Sequence, residues 1–213
     1  MNTPNKLSLA RIILVPFMMF FFLASFMNPW GKFVAVAIFI IAALTDMLDG
    51  KIARKTGQVT NLGKLLDPIA DRLLYNMGFL LIVVGAEPVI PHPYGLICFA
   101  VLLFRDFIID GLRQVAASKG VVIQAFWSGK IKAILHDIHI PMFMTFAATR
   151  TFEGAFWNVF NPVLFWTAIV VLVAAMIVTI WSIFDYTLRS KNVIFADEIK
   201  QKEKNNKVEK DEK

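Results

Sequence analysis

The chain holds a single cysteine, Cys98, so no internal disulfide can form. Histidine is nearly as scarce: only His92, His136 and His139 are present. His136 and His139 stand three apart, a spacing that suits a metal pair, but no Cys or third His lies nearby. They read as hydrogen-bonded helix residues, and His92 as a solvated loop residue. Glycine-rich nucleotide loops, nucleophile elbows and triad signatures are absent. No internal repeat and no second domain is visible. These gaps exclude a disulfide scaffold, a P-loop type of nucleotide site and a serine-type hydrolase.

What is abundant is apolar. Hydrophobic residues make up 57% of the 213 positions, 20 of them Phe, and mean hydropathy is +0.62. The apolar residues come in long blocks separated by short polar or Pro/Gly-rich breaks. About 20 mostly apolar residues are needed to cross the hydrocarbon core of a bilayer. Six blocks reach or approach that length, near residues 7–26, 33–52, 64–84, 96–116, 131–148 and 163–188. The expectation is an all-α polytopic membrane protein with six spans over residues 1–190. The fourth and fifth blocks are the least uniform, since they carry Arg105, Asp106, His136, Asp137 and His139. The first block lacks a small-residue cleavage site and further spans follow, so it reads as a retained helix rather than a signal peptide. Trp30, Trp127 and Trp157 suit interfacial anchors.

Lys and Arg are unevenly distributed among the breaks. Lys51, Arg54, Lys55 and Lys64 surround the second break, and Arg113, Lys119 and Lys130 the fourth. The alternate breaks carry only Lys32 and Arg150. The positive-inside rule then predicts both termini on the cytoplasmic side of the cell membrane. The net charge of +6 is accordingly a topology signal and not a nucleic-acid signal. Residues 191–213 mix both charge signs with few apolar residues, as a disordered solvated tail does. A weak attraction of that tail to anionic lipid is the alternative.

Residues 45–72 read TDMLDGKIARKTGQVTNLGKLLDPIADR. Asp46 and Asp49 are three apart, and Asp67 and Asp71 four apart, so each pair shares a helical face. The break between the two helices is short, which makes them antiparallel neighbours with converging acidic faces. Four converging carboxylates repel strongly where the dielectric is low. Arg54 and Arg72 are the only arginines expected near them, and neither is evidently aimed inward. A divalent cation with oxygen ligands, such as Mg²⁺, is the simplest neutraliser. Gly50 clears space for a ligand to approach the backbone. A blander role exists for one of them: Asp67 before Pro68 suits a helix N-cap followed by proline at the first helical position. Capping does not account for Asp46, Asp49 and Asp71.

The order Asp46, Asp49-Gly50, Ala53-Arg54, Gly63, Asp67, Asp71 resembles the signature of the CDP-alcohol phosphotransferases, D-x2-D-G-x2-A-R-x8-G-x3-D-x3-D. All eight fixed positions match, within a 26-residue window. The resemblance implies a six-helix, usually homodimeric membrane enzyme. It implies that Asp46, Asp49, Asp67 and Asp71 bind one or two divalent ions, Mg²⁺ or Mn²⁺. Asp71 would also take the proton of the acceptor hydroxyl. Gly50, Ala53 and Gly63 would accommodate the cytidine and diphosphate of CDP-diacylglycerol, with Arg54 in a supporting contact.

Further matches point to one branch, the bacterial phosphatidylglycerophosphate synthases. Pro4-Asn5, Ser8 and Arg11 resemble the start of those enzymes and form a possible substrate pocket. RDFIIDGLR, residues 105–113, and SGKIK, residues 128–132, resemble two later segments. By that resemblance Arg105, Arg113 and Lys130 would bind the phosphate of glycerol-3-phosphate. The bland alternatives are that Arg105 pairs with Asp106 or Asp110, and that Lys130 or Lys132 marks the membrane boundary. For Lys132 the boundary role is preferred, and for Arg105 and Arg113 the ligand role. Asp106, Asp110, Ala133, His136 and Asp137 depart from the residues common in that branch. The rival functions are the same chemistry with another acceptor (inositol phosphate, serine, choline or phosphatidylglycerol) and, from a different class, an ion-coupled transporter. A transporter's broken helices and inverted repeat are not evident.

Overall fold

The computed structural model describes residues 3–56, 61–84, 88–118 and 127–194. Among them are six α-helices, a short 3₁₀ turn at Ser25–Met27 and no strand. The helices are α1 (Thr3–Leu23), α2 (Trp30–Thr56), α3 (Asn61–Val83), α4 (Tyr94–Ser118), α5 (Trp127–Thr149) and α6 (Ala155–Ile194). Each covers most or all of one of the expected apolar blocks. Long apolar segments satisfy their own backbone groups by becoming helical, and here they all do so. The breaks carry the chemistry that stops helices. Pro29 lies between α1 and α2, and Pro91 and Pro93 lead into α4. Gly154 sits at φ 127° immediately before α6, a conformation that L side chains rarely adopt.

Two expectations change at the helix ends. Asp67-Pro68 is not a cap: α3 starts at Asn61, and Pro68 lies inside it. The cost is one backbone hydrogen bond within α3. α6 extends beyond the apolar block at both ends to 40 residues, roughly 60 Å at 1.5 Å per residue.

Helix α1 packs on α2 and α3, α5 packs on α2 and α3, and α6 runs along α4 and α5. Phe39, Leu74, Phe79, Ile82, Ile140, Phe143 and Met144 fill the centre, each no more than 1% exposed. Gly78 of α3 is where three helices come closest. A Cβ there would stand 2.9 Å from the Phe39 ring and 3.0 Å from Ile140. The shape of the centre therefore rests on a missing side chain as well as on large ones.

Two helical stretches, Asn5–Leu23 and Ala155–Leu188, are long and apolar enough to cross a membrane. Their outer faces expose Ile13, Phe17, Phe20, Trp166, Val170, Ile177 and Trp181, each more than half accessible. Apolar surface on that scale belongs against lipid. The other four helices carry charged residues along their length.

Candidate functional site

At one end of the bundle lies a cavity of about 340 Å³. Its lining comes from α2 (Asp46), α3 (Asp67, Asp71, Arg72, Tyr75), α4 (Arg105, Asp106, Asp110, Arg113) and α5 (Gly129, Lys132, His136). The charges are sorted. Carboxylates of α2 and α3 form one wall, and cations of α3, α4 and α5 the other.

On the acidic wall, Asp46, Asp67 and Asp71 come together as the helix spacing predicts. α1 supports them from behind. The Arg11 side chain is fully buried, and its guanidinium reaches Asp46 Oδ1 at 2.6 Å. Ser8, also fully buried, donates its hydroxyl to Asp67 Oδ1 at 2.5 Å. Asn5 is buried on the same helix. The expectation that only Arg54 and Arg72 stand near the acids is therefore wrong: the cation that meets Asp46 comes from α1, thirty-five positions earlier. The Tyr75 hydroxyl, one turn beyond Asp71, interacts with the carboxylates of both Asp71 and Asp137. Asp137 thereby joins the acidic end from α5.

Gly63 is buried at the start of α3. Asp49, Gly50, Ala53 and Arg54 fall in the last turns of α2, and their side chains lie outside the described residues. Among the described residues no group of three or more metal-type side chains closes on a single point. The donor set nevertheless suits a hard divalent cation. It is all carboxylate oxygen, and among the described residues Asp46 and Asp67 are each held through Oδ1.

On the cationic wall Arg105 and Arg113 both line the cavity, while Arg72 and the lysines differ from the sequence reading. Arg105 is 9% exposed; it donates Nε–H to Ser182 Oγ at 2.8 Å and reaches Asp106 Oδ1 at 2.9 Å. The pairing with Asp106 is thus real, and Arg105 lines the cavity as well. Arg113 donates to the Tyr186 hydroxyl at 2.7 Å, with its guanidinium 5.4 Å from that ring's centroid. Its Nε is buried with no partner among the described residues. Arg72 is aimed inward after all, where it pairs with Asp110.

The two lysines exchange the roles expected of them. Lys132 is 8% exposed, lines the cavity and donates to Asp106 Oδ1 at 2.6 Å, so it is no boundary marker. Lys130 is exposed, lies 5.1 Å over the Trp127 ring and is not among the lining residues. Helical geometry explains the exchange, because Gly129, Lys132, Ala133 and His136 share one face of α5 while Lys130 is turned away.

His139 hydrogen-bonds the Leu135 carbonyl at 2.8 Å, as expected of a helix residue. His136 does not follow that expectation. It is 3% exposed beside the cavity, and neither ring nitrogen has a partner among the described residues. Its ring packs against Tyr75 and His139 instead.

Sequence reasoning missed Lys132, Ser182 and Tyr186. The signal for the last two was present. Thr179, Ser182 and Tyr186, spaced three and four apart, form a polar stripe on an otherwise apolar helix, and all are fully buried.

Comparison with known proteins shows the family. The family model for CDP-alcohol phosphatidyltransferase matches residues 1–181. A Bacillus subtilis protein named CDP-diacylglycerol–glycerol-3-phosphate 3-phosphatidyltransferase is 41% identical over 143 residues, covering 62% of this chain and 70% of that protein. Proteins of the same name from Haemophilus influenzae and Yersinia pestis (strain Pestoides F) are 34% and 31% identical. The Haemophilus match covers 87% of this chain and 91% of the relative, and the Yersinia match 87% and 93%. The sorted cavity is built on a membrane protein that belongs to the CDP-alcohol phosphatidyltransferase family.

Proposed function

We propose that this enzyme transfers the phosphatidyl group of CDP-diacylglycerol to glycerol-3-phosphate, releasing CMP. The observation that carries the reading is the single cavity with an acidic wall facing a cationic one. A donor diphosphate presented to metal-binding acids and a phosphorylated acceptor need opposite surroundings, and both surroundings open on the same space. The cationic wall has four cations against Asp106 and Asp110, a formal excess of two positive charges. That excess complements a phosphate monoester dianion and suits neutral acceptors such as serine poorly.

In this reading Asp46, Asp49, Asp67 and Asp71 hold one or two divalent ions, Mg²⁺ or Mn²⁺, and Gly50, Ala53, Arg54 and Gly63 receive the CDP group. A bound divalent ion supplies positive charge against the diphosphate and its leaving CMP. The chain's own residues do the rest. Arg105, Arg113 and Lys132 seat the acceptor phosphate. The acceptor's far hydroxyl then points along the cavity toward Asp71, which takes its proton as the oxygen bonds to the lipid-side phosphorus and the bond to CMP breaks. Tyr75 orients the Asp71 carboxylate. Arg11 and Ser8 fix Asp46 and Asp67 from behind, so the acids are arranged before substrate arrives.

The same proposal has six spans, both termini and the cavity on the cytoplasmic face of the cell membrane, a homodimeric assembly and a solvated tail after α6. Support comes from the apolar block in each helix and from the Lys and Arg bias of the breaks. Charged residues in α2–α5 gather at the cavity, where the two reactants meet: a lipid whose tails stay in the bilayer and an acceptor arriving from water.

The test is an acceptor screen with purified full-length protein and labelled CDP-diacylglycerol, with and without Mg²⁺. Glycerol-3-phosphate should give CMP and phosphatidylglycerophosphate only with the metal. Faster CMP release with inositol phosphate, serine or phosphatidylglycerol would replace the acceptor assignment.

A further inference from the structure

We infer that α6, which contributes no residue to the cavity lining, sets acceptor affinity through two buried hydroxyls: Ser182 orients Arg105, and Tyr186 orients Arg113. The inference rests on the proposed acceptor, since it explains how that acceptor's cations are held.

The geometry is specific. Arg105 and Arg113 are eight positions apart on α4, two turns along one face, and Ser182 and Tyr186 are four apart on the face of α6 that meets them. Each arginine receives one hydroxyl. Ser182 donates its only hydroxyl proton to the Thr179 carbonyl at 2.8 Å, which leaves lone pairs for Arg105 Nε–H at 2.8 Å. The donor and acceptor roles at Ser182 are therefore assigned without ambiguity. Tyr186 accepts from Arg113 at 2.7 Å and places its ring against the same guanidinium. Ser182 and Tyr186 are both fully buried, so neither hydroxyl serves solubility.

The chemistry of the partner matters as much as its position. A guanidinium has five N–H donors in a fixed fork. A carboxylate placed on α6 would hold it equally well but would cancel its charge. A hydroxyl takes one donor and leaves the positive charge intact. The wall thus keeps its formal excess of positive charge while its two arginines stay oriented for a phosphate. Ser182 and Tyr186 are positioning residues: they touch arginines and not substrate.

The experiment is steady-state kinetics of the full-length protein in detergent with CDP-diacylglycerol, varying each substrate in turn. Tyr186→Phe and Ser182→Ala should each raise KM for glycerol-3-phosphate by on the order of fivefold to tenfold, the range for one lost hydrogen bond. KM for CDP-diacylglycerol and kcat should stay within about twofold on the same scale. Ser182→Thr keeps the hydroxyl and should restore wild-type KM, whereas Ser182→Asp should raise it beyond the Ala variant by cancelling charge. Unchanged acceptor KM in Tyr186→Phe and Ser182→Ala would overturn the inference. So would equal losses toward both substrates together with a lower melting temperature, which mark a purely structural role. Wild-type protein that makes no product from glycerol-3-phosphate would instead sink the functional reading. The hydroxyls are then judged by calorimetry with inorganic phosphate, where unweakened binding in Tyr186→Phe and Ser182→Ala overturns the inference.

Discussion

The two walls of the cavity are built on different plans. The acidic wall comes from one continuous stretch of chain, α2 and α3, and its charges are left in excess. Among the described residues Asp46 meets one cation, Arg11, while Asp67 and Asp71 meet hydroxyls, Ser8 and Tyr75. The cationic wall is assembled from α3, α4 and α5, with α6 behind it, over more than a hundred positions of sequence. Each of its cations already has a partner inside the protein: Asp110 for Arg72, Ser182 and Asp106 for Arg105, Tyr186 for Arg113, and Asp106 for Lys132. An acidic wall with one cation among the described residues suits an added positive charge. A cationic wall with partners is already organised, and its ligand adds to a network that exists. The first should fail outright when a member is removed, and the second by degrees.

The largest effects therefore belong to the acidic wall. Asp46→Asn or Asp67→Asn deletes a charged oxygen ligand and should reduce turnover beyond about a hundredfold, the upper end for partners that only surround a metal site. Divalent-ion affinity should fall in parallel, measured as the Mg²⁺ concentration for half-maximal CMP release. A variant with near-normal turnover and an unchanged Mg²⁺ requirement would reduce that carboxylate to a structural one. Asp71→Asn should also slow turnover by at least about a hundredfold, the low end for loss of a general base. It differs in sparing the donor: calorimetry should still find CDP-diacylglycerol binding, because Asp46, Asp49 and Asp67 remain. Full activity in Asp71→Asn would remove the base assignment.

The same contrast explains what could be read in advance. The acidic wall was legible because helix periodicity and a dense motif within one short stretch define it. All six helices were legible because each falls on a long, mostly apolar block. The details lost were those that depend on packing between distant segments. Arg11 gave no local hint that it would face Asp46, since the pairing needs α1 to lie against α2. Asp67-Pro68 looked like a helix start because the pair is chemically suited to one, but α3 begins six residues earlier and absorbs the proline. His136 was expected to find a hydrogen bond as His139 does, yet its face of α5 turns to Tyr75 and offers none among the described residues. Ser182 and Tyr186 lie in a long apolar helix whose hydropathy a few buried polar residues do not interrupt.

Effects of middle size belong to the arginines. Arg113→Ala removes a charge-assisted contact to phosphate, a loss of about 1.5–3 kcal/mol. KM for glycerol-3-phosphate should rise by roughly ten- to a hundredfold, at 1.4 kcal/mol per factor of ten. KM for CDP-diacylglycerol should change far less. An equal rise for both substrates would show that the two walls are not separate sites, and the comparison itself would break.

The smallest effects come from the lysines of α5, and their contrast is the sharpest check on the geometry. Sequence resemblance favoured Lys130 as the phosphate ligand, and the structure brings Lys132 to the cavity instead. Lys132 is buried against Asp106, which Arg105 shares. Lys132→Met keeps most of the side-chain volume and removes the charge. Asp106 is then left to Arg105 alone, which draws that guanidinium away from the cavity while one cation is lost outright. Acceptor KM should rise on the order of tenfold, less than for Arg113→Ala because Arg105 still neutralises Asp106. Lys130→Ala removes an exposed ammonium whose neighbour is the Trp127 ring. Surface changes of that kind stay within about 0.5 kcal/mol, so acceptor KM should move by no more than roughly twofold. Both variants should be assayed at the same ionic strength, since long-range attraction between exposed charges fades over about 10 Å at 0.1 M salt. If Lys130→Ala proves the more damaging of the two, the face of α5 that meets the substrate is not the one carrying Lys132 and His136, and the cationic wall must be redrawn from Lys130.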